Sequence, residues 1–215
     1  MKKKTGFIIV ISLVLLISGC IPSIHPLYFN KDRLVLNELE GKWLSESDDI
    51  WEFVKIENEP SYTLSYSEHE QKGAVEKNST TAIFEANVVK LGGHYFIDLY
   101  PGDNDYLEKM NSFLAVHLIT AHTFLKLEVK DEQLVIYQMS PKWLEDLFKE
   151  NKIRIKHETV VDEATVNSPD NVFKSPMAHE SIILTASTKE LQKFITKYAE
   201  DEDAFGEPEI LNPIR

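Results

Sequence analysis

The sequence predicts a mainly β domain with accessory helices, built as an antiparallel barrel or a strongly curved sheet. Three observations lead there. Most of residues 43–139 reads as strands, either alternating apolar with polar or rich in β-branched and aromatic residues. Within that stretch, Gly92-Gly93 separates two runs that suit the arms of a tight hairpin. The two segments with clear helical spacing, near 140–151 and 188–200, lie outside it.

Trp51 to Ile56 and Tyr62 to Tyr66 have strand composition. The hairpin joins Thr81–Leu91 to His94–Tyr100, and a two-residue loop leaves one register. Leu91 then opposes His94, Val89 opposes Phe96 and Asn87 opposes Asp98; on the other face Lys90 opposes Tyr95, Val88 opposes Ile97 and Ala86 opposes Leu99. The second face is apolar beyond its first pair and should meet the core. The first face is mixed, suited to water or to a cavity wall. Phe113 to Ile119 reads as a further strand. Thr123–Val129 and Leu134–Met139 form another pair across the polar turn Lys130-Asp131-Glu132-Gln133. Ser140 and Pro141 suit the N-cap and first turn of a helix with the stripe Trp143, Leu144, Leu147, Phe148, ending near Asn151. Ser187-Thr188-Lys189-Glu190 is a capping box, followed by Leu191, Phe194, Ile195 and Tyr198 on one face. Between the helices, Ile153–Val160 and Ser181–Ala186 read as strands, and Asn167–Pro176 as the longest loop.

The chain has 215 residues, with 23 Lys+Arg against 35 Asp+Glu. That length suits one domain with a real core. The acidic balance excludes nucleic acid as a main partner, because phosphate binding needs a basic stripe. A single cysteine excludes an internal disulfide and a multi-cysteine zinc site.

The N-terminus carries the strongest functional signal. Lys2, Lys3 and Lys4 precede an apolar run from Phe7 to Ile17, broken only by Ser12. That run is too short for a bilayer, which needs about 20 residues, and has the form of a secretory signal. It ends in Ile17-Ser18-Gly19-Cys20. This resembles the bacterial lipobox. The resemblance implies diacylglycerol on the Cys20 thiol, cleavage after Gly19 and attachment of the chain to a bacterial cell membrane. Residues 1–19 are then a signal peptide, 20–29 a short lipidated tether with Pro22 and Pro26, and 30–215 one β-rich domain with a C-terminal helix. Removing 1–19 takes away three basic residues and no acid, moving the formal charge from −12 to −15. Ile21 rather than Asp after the cysteine resembles lipoproteins forwarded to the outer membrane, where the source has two membranes.

Ser23-Ile24-His25-Pro26-Leu27-Tyr28 and Leu91-Gly92-Gly93-His94-Tyr95-Phe96-Ile97-Asp98-Leu99-Tyr100-Pro101 resemble segments of a family of uncharacterised envelope lipoproteins. That resemblance implies no particular chemistry. Gly41-Lys42-Trp43 resembles the G-x-W of lipocalins, whose tryptophan packs across the closed barrel end against a late arginine. Here the implied arginine is Arg154. Asn104-Asp105-Tyr106 is a departed form of the lipocalin T-D-Y loop. A core tryptophan opening any β-domain fits the same three residues. The resemblance implies a pocket or barrel end involving Trp43, Val89, Phe96 and Arg154.

No residue pattern assembles a catalytic site. There is no G-x-S-x-G, G-x-G-x-x-G, P-loop or H-E-x-x-H. His117 and His122 face each other only if Ile119-Thr120 makes a tight turn, which that dipeptide does not favour, and two histidines fall short of a zinc site. His94 and Asp98 share a strand face about 13 Å apart, too far to act as a dyad. Asp103-Asn104-Asp105 lacks the glycine and terminal glutamate of a calcium loop. No cofactor, metal or catalytic residue is expected. Two functions remain: an anchored protein binding a small apolar ligand, or an interaction module that docks an envelope protein and has no pocket.

Overall fold

The structure is a computed structural model that describes residues 20–68, 81–102, 109–161 and 180–215. Its centre is a closed, eight-stranded antiparallel barrel. The barrel strands are β2 (Gly41–Leu44), β3 (Ile50–Lys55), β4 (Tyr62–Ser67), β5 (Thr81–Leu91), β6 (His94–Pro101), β7 (Thr123–Lys130), β8 (Gln133–Gln138) and β11 (Glu209–Pro213). Seven follow as an up-and-down meander. The last, β11, pairs with β8 on one side and β2 on the other, which closes the ring. A short β1 (Arg33–Leu34) adds to β5 beside Val88 and Val89.

The hairpin register holds at all six sequence-derived pairs. Gly92 and Gly93 have φ of 59° and 91°, the left-handed region that glycine enters without a Cβ clash. Asp131 and Glu132 turn the β7–β8 hairpin, also at positive φ. Every barrel strand sends side chains into one interior cluster, which includes Trp43, Trp51, Phe53, Tyr62, Val88, Ile97, Leu127, Ile136 and Leu211. The segment before β2 closes one end. Leu36 and Leu39 enter the same cluster, the Tyr62 hydroxyl bonds both backbone groups of Leu36, and Trp43 Nε1 donates to the Leu39 carbonyl at 3.0 Å.

A long excursion between β8 and β11 builds an outer layer. It contains α2 (Pro141–Lys149), the ribbon of β9 (His157–Val161) with β10 (Glu180–Leu184), and α3 (Thr188–Tyr198). The Ser140 hydroxyl caps α2 by accepting from Trp143 N–H, and the Ser187/Glu190 box caps α3. At the other end of α3, Lys126 Nζ reaches the Ala199 carbonyl at 2.7 Å, a cation where the helix dipole is negative.

Three expectations need correction. Phe113–Ile119 is not a strand: Ser112–Ala115 form a short helix, α1, because the Asn111 side chain accepts from the Phe113 and Leu114 amides and starts a helical turn. The first face of the hairpin meets neither water nor a cavity at its centre. Val89 and Phe96 are fully buried in a second cluster with Leu27, Leu184, Leu191, Ile195 and Phe205, between barrel and outer layer. Arg154 lies exposed in the connection between α2 and β9 and on no barrel strand, while buried Trp43 gives its indole N–H to the Leu39 carbonyl, so the implied pairing is not seen. Asn104–Tyr106 and Asn167–Pro176 lie outside the described residues, as do His69, His179 and the signal segment 1–19. Among the described residues no helix is long and apolar enough to cross a membrane.

Candidate functional site: the N-terminal clasp

The described chain starts at Cys20, which is exposed, with its thiol 3.6 Å from Gln138 Oε1. The next residues are packed at once. Ile21 joins the second cluster and Ser23 is fully buried. Ser23 exchanges both backbone hydrogen bonds with His122, at 2.8 Å each. On its other side, Leu184 N–H donates to the Pro22 carbonyl and Ile24 N–H to the Leu184 carbonyl. Residues 22–24 therefore stitch the outer ribbon to the start of β7.

Further along, Leu27 is fully buried and its N–H donates to Asp98 Oδ2 at 2.7 Å. Asp98 has no exposed surface, and its Oδ1 lies 2.7 Å from His122 Nδ1. Burial pushes the Asp98 carboxyl upward, while the imidazole and the Leu27 amide pull it back. The His122 ring packs 4.5 Å from the Tyr100 ring and edge-on to Tyr28. Across the β5–β6 pairing from Asp98, buried Asn87 accepts from Arg33 Nη1 and donates to Glu85. Arg33 also approaches Glu59 and Glu85 at 3.6 and 3.9 Å and lies over Tyr28. Burial, with Glu85 and Asp98 adding negative potential, pushes the Tyr28 hydroxyl up to about 12. From α3, Gln192 Nε2 donates to the Leu27 carbonyl and to Asp32. The clasp joins the N-terminal segment, through Leu27, to β6, through Asp98.

This arrangement holds a chain segment. An imidazole oriented by a carboxylate is also half of a nucleophilic site. Here the Ser23 hydroxyl donates to the His25 carbonyl at 2.8 Å, the Tyr100 hydroxyl is paired with Thr120, and His122 is only 8 % exposed. Among the described residues no group of three His, Cys, Asp or Glu side chains is placed to hold a metal ion.

The sequence-derived site residues do not converge. Trp43 is in the interior cluster, Val89 and Phe96 are under the outer layer, and Arg154 and Cys20 are exposed. Outside the barrel, Glu145, Phe148, Lys149, His157, Thr159 and Ile182 line a cleft of about 140 Å³, with the Phe148 and His157 rings stacked 3.6 Å apart. That is below the roughly 300 Å³ at which small-molecule pockets start. Asp98, His122, Asn87 and Arg33 were not legible as one site. Asp98 lies on β6 and His122 at the end of the 102–122 connection, and the Asp98–Phe124 pairing brings them together.

Fold and site together define a small, closed, antiparallel barrel, consistent with the lipocalin-like kind, with its N-terminal segment clasped to its wall. The chain matches no protein-family model, and no curated protein or solved structure matches it significantly.

Proposed function

We propose that this chain is a lipid-anchored envelope module that docks a protein partner and neither carries a ligand nor catalyses a reaction. Diacylglycerol on Cys20 attaches it to the bacterial cell membrane, the outer one where there are two. The lipobox and the exposed position of Cys20 support the anchor. One observation carries the docking reading over the apolar-ligand reading: the barrel centre is occupied by its own side chains. Phe53, Tyr62, Leu64, Val88, Ile97, Leu127, Leu134 and Ile136 expose 0–2 % of their surface. A barrel of eight strands is just wide enough for side chains to fill it. Val89 and Phe96 are committed to packing against the outer layer and line no pocket wall.

Two measurements test this. Cys20→Ser should move the protein from the membrane to the soluble fraction. Titration with fatty acids and isoprenoid lipids should leave the fluorescence of Trp43, Trp51 and Trp143 without a saturable change. Saturable binding weakened by Val89→Ala or Phe96→Ala would restore the ligand reading.

A further inference from the structure

We infer that the segment Phe113–Ile119 is a second membrane contact, lying in the interface of the same bilayer that holds the Cys20 lipid. The inference rests on the lipid-anchor reading above and adds a surface to it.

The first observation is exposure. Phe113, Val116 and Ile119 are 76, 75 and 79 % exposed, and Leu114 and Leu118 about half. Five large apolar side chains within seven residues is far beyond the single exposed apolar residues of an ordinary surface. The segment is also held in place. Asn111 caps its helical turn, the Phe113 ring packs edge-on to His117, and Thr120 hydrogen-bonds the Tyr100 hydroxyl.

The second observation is charge. From Lys109 to Leu127 there is no Asp or Glu, in a chain of formal charge −12. An anionic headgroup layer would repel most of this protein and not this stretch.

The third observation is position, and it selects a bilayer over a protein partner. Ser23 and His122 form a backbone bridge. Cys20 is three residues before Ser23, and Ile119 is three residues before His122. At no more than about 3.6 Å per residue, plus about 5.5 Å across the bridge, Cys20 and Ile119 lie within about 27 Å of each other. Ile21 is buried and Ser23 is stitched on both sides, so no slack chain separates the anchor from the domain. A lipid on Cys20 thus holds the domain directly on the membrane, with the apolar segment within reach of the headgroup region. Two acyl chains already hold the domain at the membrane; the segment adds apolar contact area and fixes which side of the barrel faces the bilayer.

The test uses the mature protein purified from membranes and reconstituted into phosphatidylethanolamine/phosphatidylglycerol vesicles. Phe113→Cys, Val116→Cys and Ile119→Cys are each labelled with a nitroxide, and Val54→Cys, half-exposed on β3, serves as the control. Acylated Cys20 has no free thiol, so one label per chain is expected. The three segment labels should be several-fold more accessible to oxygen, relative to a water-soluble relaxant, than the Val54 label. One label per chain with all three sites as aqueous as Val54 would overturn the inference and leave the anchor intact. Labels shielded from both relaxants would overturn it in favour of contact with a second copy. Two labels per chain would show a free Cys20 and overturn the anchor reading itself, and the inference with it.

Discussion

Replacing Asp98 by alanine should be among the most damaging changes in the molecule, although Asp98 touches no ligand. The carboxylate accepts from the Leu27 amide and from His122 Nδ1, both at 2.7 Å, with no exposed surface of its own. Asp98→Ala leaves two buried donors without an acceptor, at about 1–3 kcal/mol each, so about 2–6 kcal/mol in all. Against a domain stability of about 5–15 kcal/mol this is a large fraction. In a chain of this size it lowers Tm by roughly 5–20 °C. Asp98→Asn is different. Its amide oxygen can accept from Leu27, and its NH2 can donate to Nδ1 if the imidazole proton moves to Nε2. Only the charge assistance is lost, about 1–2 kcal/mol. Urea unfolding followed by tryptophan fluorescence reads both variants, and hydrogen exchange at the Leu27 amide should be faster in Asp98→Ala. If Asp98→Ala lies within about 1 kcal/mol of the parent, or if Asp98→Asn is as damaging, the clasp is not held by these bonds and the reasoning fails.

Val88→Asp should cost several kcal/mol, or prevent folding, because it puts an unpaired charge in a fully buried interior position; a soluble variant with unchanged urea midpoint would refute the inward register. Gly92→Ala should cost about 1–2 kcal/mol, since φ is +59° and a Cβ would stand 3.1 Å from Thr196 Cγ2. Thr196→Ala in the same chain should return part of that loss, and no recovery would mean α3 does not press on the hairpin. Glu209 titrates above the ordinary carboxylate range because of burial, then Asp49 and Glu46, against a lowering bond from Ser45. A raised folded pKa binds the proton more tightly in the native state, so its stabilising contribution is complete below the unfolded pKa and is lost as pH rises through the folded one. Glu209→Gln should therefore raise Tm at pH 7 and converge with the parent near pH 4; a constant difference across that range would reject the assignment.

The parts of the fold legible in the sequence were those set by local rules. Gly92-Gly93 leaves one register, so Val88 and Ile97 could be placed inward from the pattern alone. The α2 and α3 starts carry their own caps at Ser140 and Ser187. What failed depended on distant chain. Phe113–Ile119 has strand composition but no partner strand among the described residues, and the Asn111 cap takes it into a helical turn. The Asn87/Asp98 face suits either water or a cavity wall on its sequence, because nothing local says that Leu27, more than seventy residues before Asp98, returns to cover it. The Asp98–His122 pair crosses a connection whose length hides the β6–β7 register. Arg154 is late in the sequence, but the excursion that carries it leaves the barrel after β8.

The anchor at Cys20 is tested most directly by the intact mass of the protein purified from the membrane fraction. The expected species begins at Cys20, lacks residues 1–19, and carries diacylglycerol with any further acyl group on the same residue. A chain that begins at Met1, or one that begins at Cys20 with an unmodified thiol, would contradict it.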